Sequence, residues 1–156
     1  MPGLIRQAKI FSPKFLVVTD PALAAGLNGS VPRGTRLLTG MTALTDVLSR
    51  PKPDIVLHGI VGAAGLLSAL SAVESGITLA IANKESLVCA GMFLRRAAQK
   101  SGALLLPVDS EHNAVFQVMV GENPASIRRI ILTASGGPFF RGGKAFSRVT
   151  RREALR

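Results

Sequence analysis

Two acidic residues separated by one position follow a short apolar run in this sequence. Asp109 and Glu111 come directly after residues 104–108, whose sequence LLLPV is typical of a buried parallel strand that ends near Pro107. In an extended segment, side chains at positions i and i+2 share a face, so both carboxylates could reach one point. Carboxylate oxygens suit Mg²⁺ or Mn²⁺, and the pair is therefore a candidate metal site.

The same two carboxylates have a structural alternative. Acidic residues are common where helices begin, so Asp109 could cap the following helix while Glu111 lies in its first turn. Taken without the rest of the chain, the two residues favour this structural interpretation slightly.

Three other segments combine polar residues or glycines with a predicted strand end. Gly59, Gly62 and Gly65 lie between a strand and a helix, where small residues let a ligand approach the backbone, although close packing of helix on strand gives the same pattern. Lys84 opens a helix whose dipole disfavours a cation, which a nearby phosphate or oxyanion would explain; a solvated lysine that leans away is the alternative. Ser135, followed by two glycines and a proline, suits a phosphate or polyol, and a plain turn would look the same.

The two histidines have no partner that the sequence identifies. His58 and His112 could act as general bases or ligands, but a structural histidine with satisfied hydrogen bonds is the favoured interpretation for each. Cys89 is the only cysteine, so an internal disulfide is excluded, and its apolar helical surroundings predict a small core residue.

The composition is that of a globular domain with an aliphatic core. The chain has 156 residues, 47% of them hydrophobic and 18% charged, without Tyr or Trp. The net charge is +10, and residues 128–156 carry eight basic residues against Glu153, a net +7. This basic segment favours an anionic partner, either nucleic acid or a phosphorylated small molecule, unless it is an ordinary solvated surface.

No secretory or transit signal is recognised at the start, so a cytoplasmic location is expected. Residues 55–73 carry no formal charge, but His58, three glycines and two serines divide them into a strand, a turn and a helix, which excludes a membrane span.

The periodicity predicts alternating strands and helices. Asp20-Pro21 and Asn83 begin helices, Gly76 ends one, and residues 150–153 form a capping box. The predicted strands are 14–19, 35–38, 55–61, 77–82, 103–108 and 127–133, and the predicted helices are 4–10, 21–27, 41–48, 64–74, 83–100 and 110–120. This order predicts an α/β fold with a mostly parallel sheet.

Four segments together resemble the 1-deoxy-D-xylulose 5-phosphate reductoisomerase family, the NADPH-dependent enzymes of the non-mevalonate isoprenoid pathway. They are IVGAAGL at 60–66, ANKESLV at 82–88, LLPVDSEHNAVFQ at 105–117 and LTASGGPF at 132–139. The resemblance covers nearly the whole chain. It implies an oxidoreductase and isomerase that converts 1-deoxy-D-xylulose 5-phosphate to 2-C-methyl-D-erythritol 4-phosphate with NADPH and Mn²⁺ or Mg²⁺.

The resemblance also implies roles for individual residues. Asp109 and Glu111 would ligate the metal, which reverses the structural interpretation of this pair. Lys84, Ser110, Glu111 and Ser135 would bind the phosphorylated sugar, and Lys84 and Glu111 would be catalytic. Asn83 and Glu85 would contact NADPH. A homodimer is expected for the full-length enzyme, without a membrane partner.

The sequence departs from the family's pattern at both ends. We expect a Rossmann-like sheet that lacks its first strand and phosphate loop, with residues 1–102 as a partial NADPH-binding domain and 103–156 as the start of a catalytic, metal-binding domain. Such a central fragment is expected to be inactive by itself. The alternative from another class is a basic nucleic-acid-binding module, which the absence of Tyr and Trp weakens.

Overall fold

A computed structural model of the chain describes residues 2–49, 52–131, 133 and 146–154. The chain divides into two units, Met1–Asp109 and Ser110–Arg156, which we describe separately.

The first unit alternates helices and strands, as the sequence predicts. Its elements are α1 (Pro2–Phe11), β1 (Phe15–Val18), α2 (Pro21–Ala25), β2 (Arg36–Thr39), α3 (Met41–Ser49), β3 (Ile55–His58), a 3₁₀ turn (Ala63–Gly65), α4 (Leu66–Glu74), β4 (Thr78–Ile81), α5 (Lys84–Ser101) and β5 (Leu105–Pro107). Residues 55–73 thus form a strand, a turn and most of a helix. No described helix is long and apolar enough to cross a membrane.

Local signals set the ends of these helices. The carboxylate of Asp20 accepts a hydrogen bond of 2.8 Å from the Ala22 amide, and Pro21 occupies the first helical position. Gly76 follows α4 with φ of +68°, a left-handed conformation that glycine adopts without strain. The predicted caps of α2 and α4 are therefore confirmed.

The strands are parallel, but they form two sheets. β1 pairs with β2, and β4 lies between β3 and β5 in a three-stranded sheet. The predicted α/β class with parallel strands is confirmed, whereas the single sheet becomes two among the described residues.

The main core covers one side of the three-stranded sheet. Leu79 and Ile81 of β4 are buried there against α4 and α5, which contribute Val73 and Leu94. Helical rows at spacings of three and four residues bring these aliphatic side chains onto one face. A smaller cluster under α2 contains Val18, Ala24 and Leu27.

The predicted burial of Cys89 is wrong. Leu94 lies on the face of α5 that packs on the core, and Leu87 is partly buried against the same cluster. Cys89 is exposed, and Phe93 is 63% exposed. Two residues along a helix correspond to about 200° of rotation, so Cys89 points away from the face that holds Leu87.

The second unit consists of short elements. They are α6 (Ser110–Met119), two 3₁₀ turns (Pro124–Ser126 and Phe146–Arg148) and α7 (Arg151–Ala154). The capping box before α7 is confirmed: the Thr150 amide donates to Glu153 Oε2 at 2.9 Å, and the Glu153 amide donates to Thr150 Oγ1 at 3.3 Å.

The predicted strand 127–133 is wrong for the residues that the structure describes. Residues 127–131 and 133 contain no strand, and Ile130 and Ile131 are 58% and 72% exposed. A segment rich in isoleucine forms a strand only where a neighbouring strand accepts its backbone hydrogen bonds, and the described sheets contain β1 to β5 alone.

Candidate functional site

The carboxyl ends of three parallel strands lie in register at one edge of the sheet. His58, Ile81 and Pro107 are aligned across β3, β4 and β5. Backbone bonds continue one residue further, from the Ala82 amide to the His58 carbonyl at 3.0 Å and from the Val108 amide to the Ile81 carbonyl at 2.9 Å. This edge, where ligands bind in open α/β sheets, therefore gathers the segments that follow each strand.

The glycine segment after β3 forms a tight turn. Gly62 has φ of +74°, and the Gly65 amide donates to the Gly62 carbonyl at 3.3 Å. A Cβ atom on Gly65 would lie 2.6 Å from His58 Cε1, 2.7 Å from the Ile60 carbonyl oxygen and 2.8 Å from Asn83 Nδ2. Position 65 therefore has room only for glycine.

His58 is buried beneath this turn. Its Nε2 lies 2.8 Å from the Gly65 carbonyl oxygen and 3.1 Å from Ser68 Oγ, and the Ser68 hydroxyl donates to the same carbonyl at 3.0 Å. The prediction of a histidine with satisfied hydrogen bonds therefore holds for Nε2 but not for Nδ1, which is buried without a hydrogen-bond partner among the described residues. The sequence did not identify Ser68 as its partner, although a polar residue ten positions after a strand-end histidine is the signal that could have done so.

Asn83 joins the turn to α5. Its Oδ1 accepts a bond of 2.7 Å from the Ser86 amide, which caps α5, and its Nδ2 donates to the Ile60 and Gly62 carbonyls, the latter at 3.0 Å. The side chain is 3% exposed. The contact between Asn83 and NADPH stays a prediction. Both the Oδ1 and the Nδ2 atom of Asn83 already form hydrogen bonds within the protein.

Lys84 and Glu85 form the exposed start of α5 at the same edge. The helix dipole favours Glu85 in this first turn and disfavours Lys84. An anion bound at this edge would offset the unfavourable position of the lysine. The predicted roles of both residues remain predictions.

Asp109 ends the first unit, and Ser110 and Glu111 begin the second. The predicted helix from Ser110 is confirmed and places Glu111 in its first turn, so the two carboxylates do not share a face of an extended segment. A carboxylate at this place is stabilised by the helix dipole. Asp109 and Glu111 are partly buried, and Ser110 is exposed.

The role of Asp109 and Glu111 as metal ligands stays a prediction. Asp109 and Glu111 supply carboxylate oxygens, and Mg²⁺ is usually held by one or two carboxylates together with water and substrate oxygens. The described part of the chain contains no group of three or more His, Cys, Asp or Glu side chains placed to hold a metal. His112 is exposed on α6, and Ser135 lies outside the described residues.

Comparison with known families assigns both parts of the chain. Residues 1–91 match the family model of 1-deoxy-D-xylulose 5-phosphate reductoisomerase, and residues 105–156 match its C-terminal domain. The chain belongs to the 1-deoxy-D-xylulose 5-phosphate reductoisomerase family. The predicted domain boundary at residue 102 stays a prediction. The compact units divide seven residues later, between residues 109 and 110.

Relatives in this family are similar over nearly the whole chain. A reductoisomerase from Oleidesulfovibrio alaskensis is 46% identical over 97% of this chain and 38% of its own length. One from Symbiobacterium thermophilum is 46% identical over 98% of this chain and 41% of its own length. The chain therefore spans about two fifths of the length of these reductoisomerases.

Solved reductoisomerases share the fold. The Zymomonas mobilis enzyme in complex with NADPH superposes with a TM-score of 0.80 and 41% identity, covering 90% of this chain and 37% of its own. A structure in complex with NADPH, fosmidomycin and magnesium has a TM-score of 0.68 and 39% identity, covering 74% of this chain and 29% of its own.

Proposed function

We propose that the protein containing this chain converts 1-deoxy-D-xylulose 5-phosphate to 2-C-methyl-D-erythritol 4-phosphate with NADPH and a divalent metal ion. Two observations support this proposal. His58, Ile81 and Pro107 are aligned at one edge of the sheet, and reductoisomerase family models match the chain. The chain spans 38% of a 46%-identical relative, so the activity belongs to the whole protein.

NADPH binding at this edge is supported by the fold and by the relatives. A ligand at the carboxyl ends of parallel strands meets the turn 59–65 and the first residues of α5. The Zymomonas mobilis enzyme, whose fold this chain shares, was solved with NADPH. We assign Asn83 and Glu85 to this cofactor, with Asn83 also holding the turn through its amide.

The phosphorylated substrate is proposed to bind beside Lys84. Lys84 is the first residue of α5, so its positive charge and the N-terminus of the helix both favour an anion there. Lys84 can therefore stabilise a phosphate or the negative charge that develops on a substrate oxygen. Ser110 and Ser135 are proposed to donate hydroxyl hydrogen bonds to the substrate.

Asp109 and Glu111 are proposed to hold Mn²⁺ or Mg²⁺. Consecutive Cα atoms are about 3.8 Å apart, so residues at positions i and i+2 lie within roughly 7 Å of each other by chain connectivity alone. When bound, the metal supplies polarisation of the substrate carbonyl and the cofactor supplies a hydride. Glu111 would also contact substrate, which gives it both a ligand and a catalytic role.

The assembly and location of the whole protein are further predictions. We propose a homodimer in a cytoplasmic setting, on the resemblance to the family. Mass photometry of the full-length protein tests the oligomeric state.

Asp109→Ala in a full-length context tests the proposed function. Loss of one of two carboxylate ligands should reduce turnover by at least ~10²-fold while leaving the fold intact. Asp54→Ala is the matched control, because Asp54 is an exposed carboxylate before β3, at the opposite end of the same sheet. Metal-dependent turnover that survives Asp109→Ala would contradict the assignment.

A further inference from the structure

We propose that His58 is a positioning residue for the cofactor. Its imidazole and the Ser68 hydroxyl fix the Gly65 carbonyl, and this fixes the shape of the turn 59–65 on which NADPH would bind. The inference rests on the proposed function, because it assigns part of the hold on NADPH to a residue beneath that site.

The hydrogen bonds determine which imidazole nitrogen carries the proton. The Gly65 carbonyl can only accept, so Nε2 at 2.8 Å must donate to it. The Ser68 hydroxyl donates to the same carbonyl, which leaves a Ser68 lone pair facing His58 Nε2 at 3.1 Å. Two side-chain donors from β3 and α4 therefore converge on one backbone oxygen of the turn.

The turn is held from a second side by α5. Asn83 Nδ2 donates to the carbonyls of Ile60 and Gly62, so bonds from His58 and Asn83 fix three carbonyl groups within six residues. Both side chains are 3% exposed. The His58 bond is buried and the two Asn83 bonds are partly buried, so water competes little for these groups.

The outer surface of the turn remains available to a ligand. Val61 is 81% exposed and Ile60 is 39% exposed, while the bonds that shape the turn lie beneath them. An apolar surface whose backbone is already fixed binds a ligand without a further ordering cost. Loss of the His58 donor should therefore weaken cofactor binding more than it slows the chemical step.

The experiment measures KM for NADPH and kcat in the full-length protein for four variants. His58→Leu removes the donor and keeps an apolar side chain, whereas His58→Gln returns an N–H donor near the position of Nε2. Ser68→Ala removes the second donor to Gly65. Ser101→Ala is the matched control, because the Ser101 hydroxyl donates to the Val73 carbonyl at 2.6 Å, in the last turn of α4 and away from the turn 59–65.

His58→Leu should raise KM for NADPH about five- to tenfold, with kcat within about twofold, as expected for one buried hydrogen bond. His58→Gln should return KM to within about threefold of the unaltered protein, and Ser68→Ala should raise it about threefold. Ser101→Ala should lower the melting temperature without a change in KM. The contrast between Ser101→Ala and the His58 variants distinguishes a positioning role of His58 from a general loss of stability.

Three results would count against the inference. An unchanged KM in His58→Leu, or in Ser68→Ala where the leucine variant does not fold, would overturn it. So would a rise in KM for Ser101→Ala equal to that for Ser68→Ala. Absence of NADPH-dependent turnover in the unaltered protein would overturn the proposed function, and the inference with it.

Discussion

Gly65→Ala should destabilise the first unit because the new methyl group has no space. Its Cβ would lie under 3.0 Å from His58 Cε1, the Ile60 carbonyl oxygen and Asn83 Nδ2, and one of these three contacts is with backbone. The change leaves φ negative, so backbone strain contributes nothing. The cost therefore comes from overpacking and from displacement of the groups that hold the turn.

The magnitude follows from these contacts. Overpacking costs about 1–3 kcal/mol, and loss of one or two of the hydrogen bonds made by His58 and Asn83 costs about 1 kcal/mol each. Replacing glycine by alanine restricts the unfolded chain and returns about 0.4–1 kcal/mol. The free energy of unfolding should fall by about 1–5 kcal/mol.

Urea denaturation followed by circular dichroism measures this change, since the chain has no Trp or Tyr for fluorescence. Gly91→Ala is the matched control: it lies within α5, and its Cβ would meet nothing within 4 Å. It should leave stability unchanged or raise it by up to about 1 kcal/mol. Equal stabilities of Gly65→Ala and the unaltered chain would refute the reasoning.

Four shorter predictions concern the surface and the ligands. Lys84→Met should lower kcat/KM for the phosphorylated substrate by about 10²-fold or more, with Lys84→Arg intermediate; steady-state kinetics measures both. Removal of divalent metal with a chelator should abolish turnover, which Mn²⁺ or Mg²⁺ restores, while the circular dichroism spectrum stays unchanged; turnover without metal would argue against Asp109 and Glu111 as ligands. Cys89 should react with a thiol reagent in the folded chain about as fast as in urea, since it is exposed; protection by more than about tenfold would contradict this. A salt titration of binding to random DNA decides the nucleic-acid alternative, because absence of binding at low salt would exclude a nucleic-acid-binding module.

Helix ends were predictable because their signals are local. The Asp20 carboxylate caps α2 from one residue away, Asn83 caps α5 in the same manner, and Gly76 needs only its own φ to end α4. Capping and turn chemistry act within a few residues, so a single sequence contains them.

Burial was less predictable because it depends on distant segments. Residues 127–131 combine three isoleucines, which favour a strand, with two arginines, but strand formation requires a partner that the segment itself does not specify. Cys89 lies among apolar residues, yet only one face of α5 meets the core. In both cases the sequence shows how apolar residues repeat along the segment, but contacts with distant segments decide which of its faces is buried.

The sequence predicted which residues lie at the candidate site, but not the hydrogen bonds that join them. The motifs placed Asn83, Lys84 and Glu85 at a strand end, which the register of β3, β4 and β5 confirms. The bonds from His58 and Asn83 to the turn were not foreseen, since they join residues 7 to 23 positions apart. Such pairings depend on how the β3–α4 and β4–α5 connections fold together.

The central claim is tested most directly by the reaction itself. Purified full-length protein containing this chain is mixed with 1-deoxy-D-xylulose 5-phosphate, NADPH and Mn²⁺, and both NADPH absorbance and the product's NMR spectrum are recorded. We expect NADPH to be oxidised in proportion to the 2-C-methyl-D-erythritol 4-phosphate that forms. Folded protein that consumes no NADPH with this substrate and metal would contradict it.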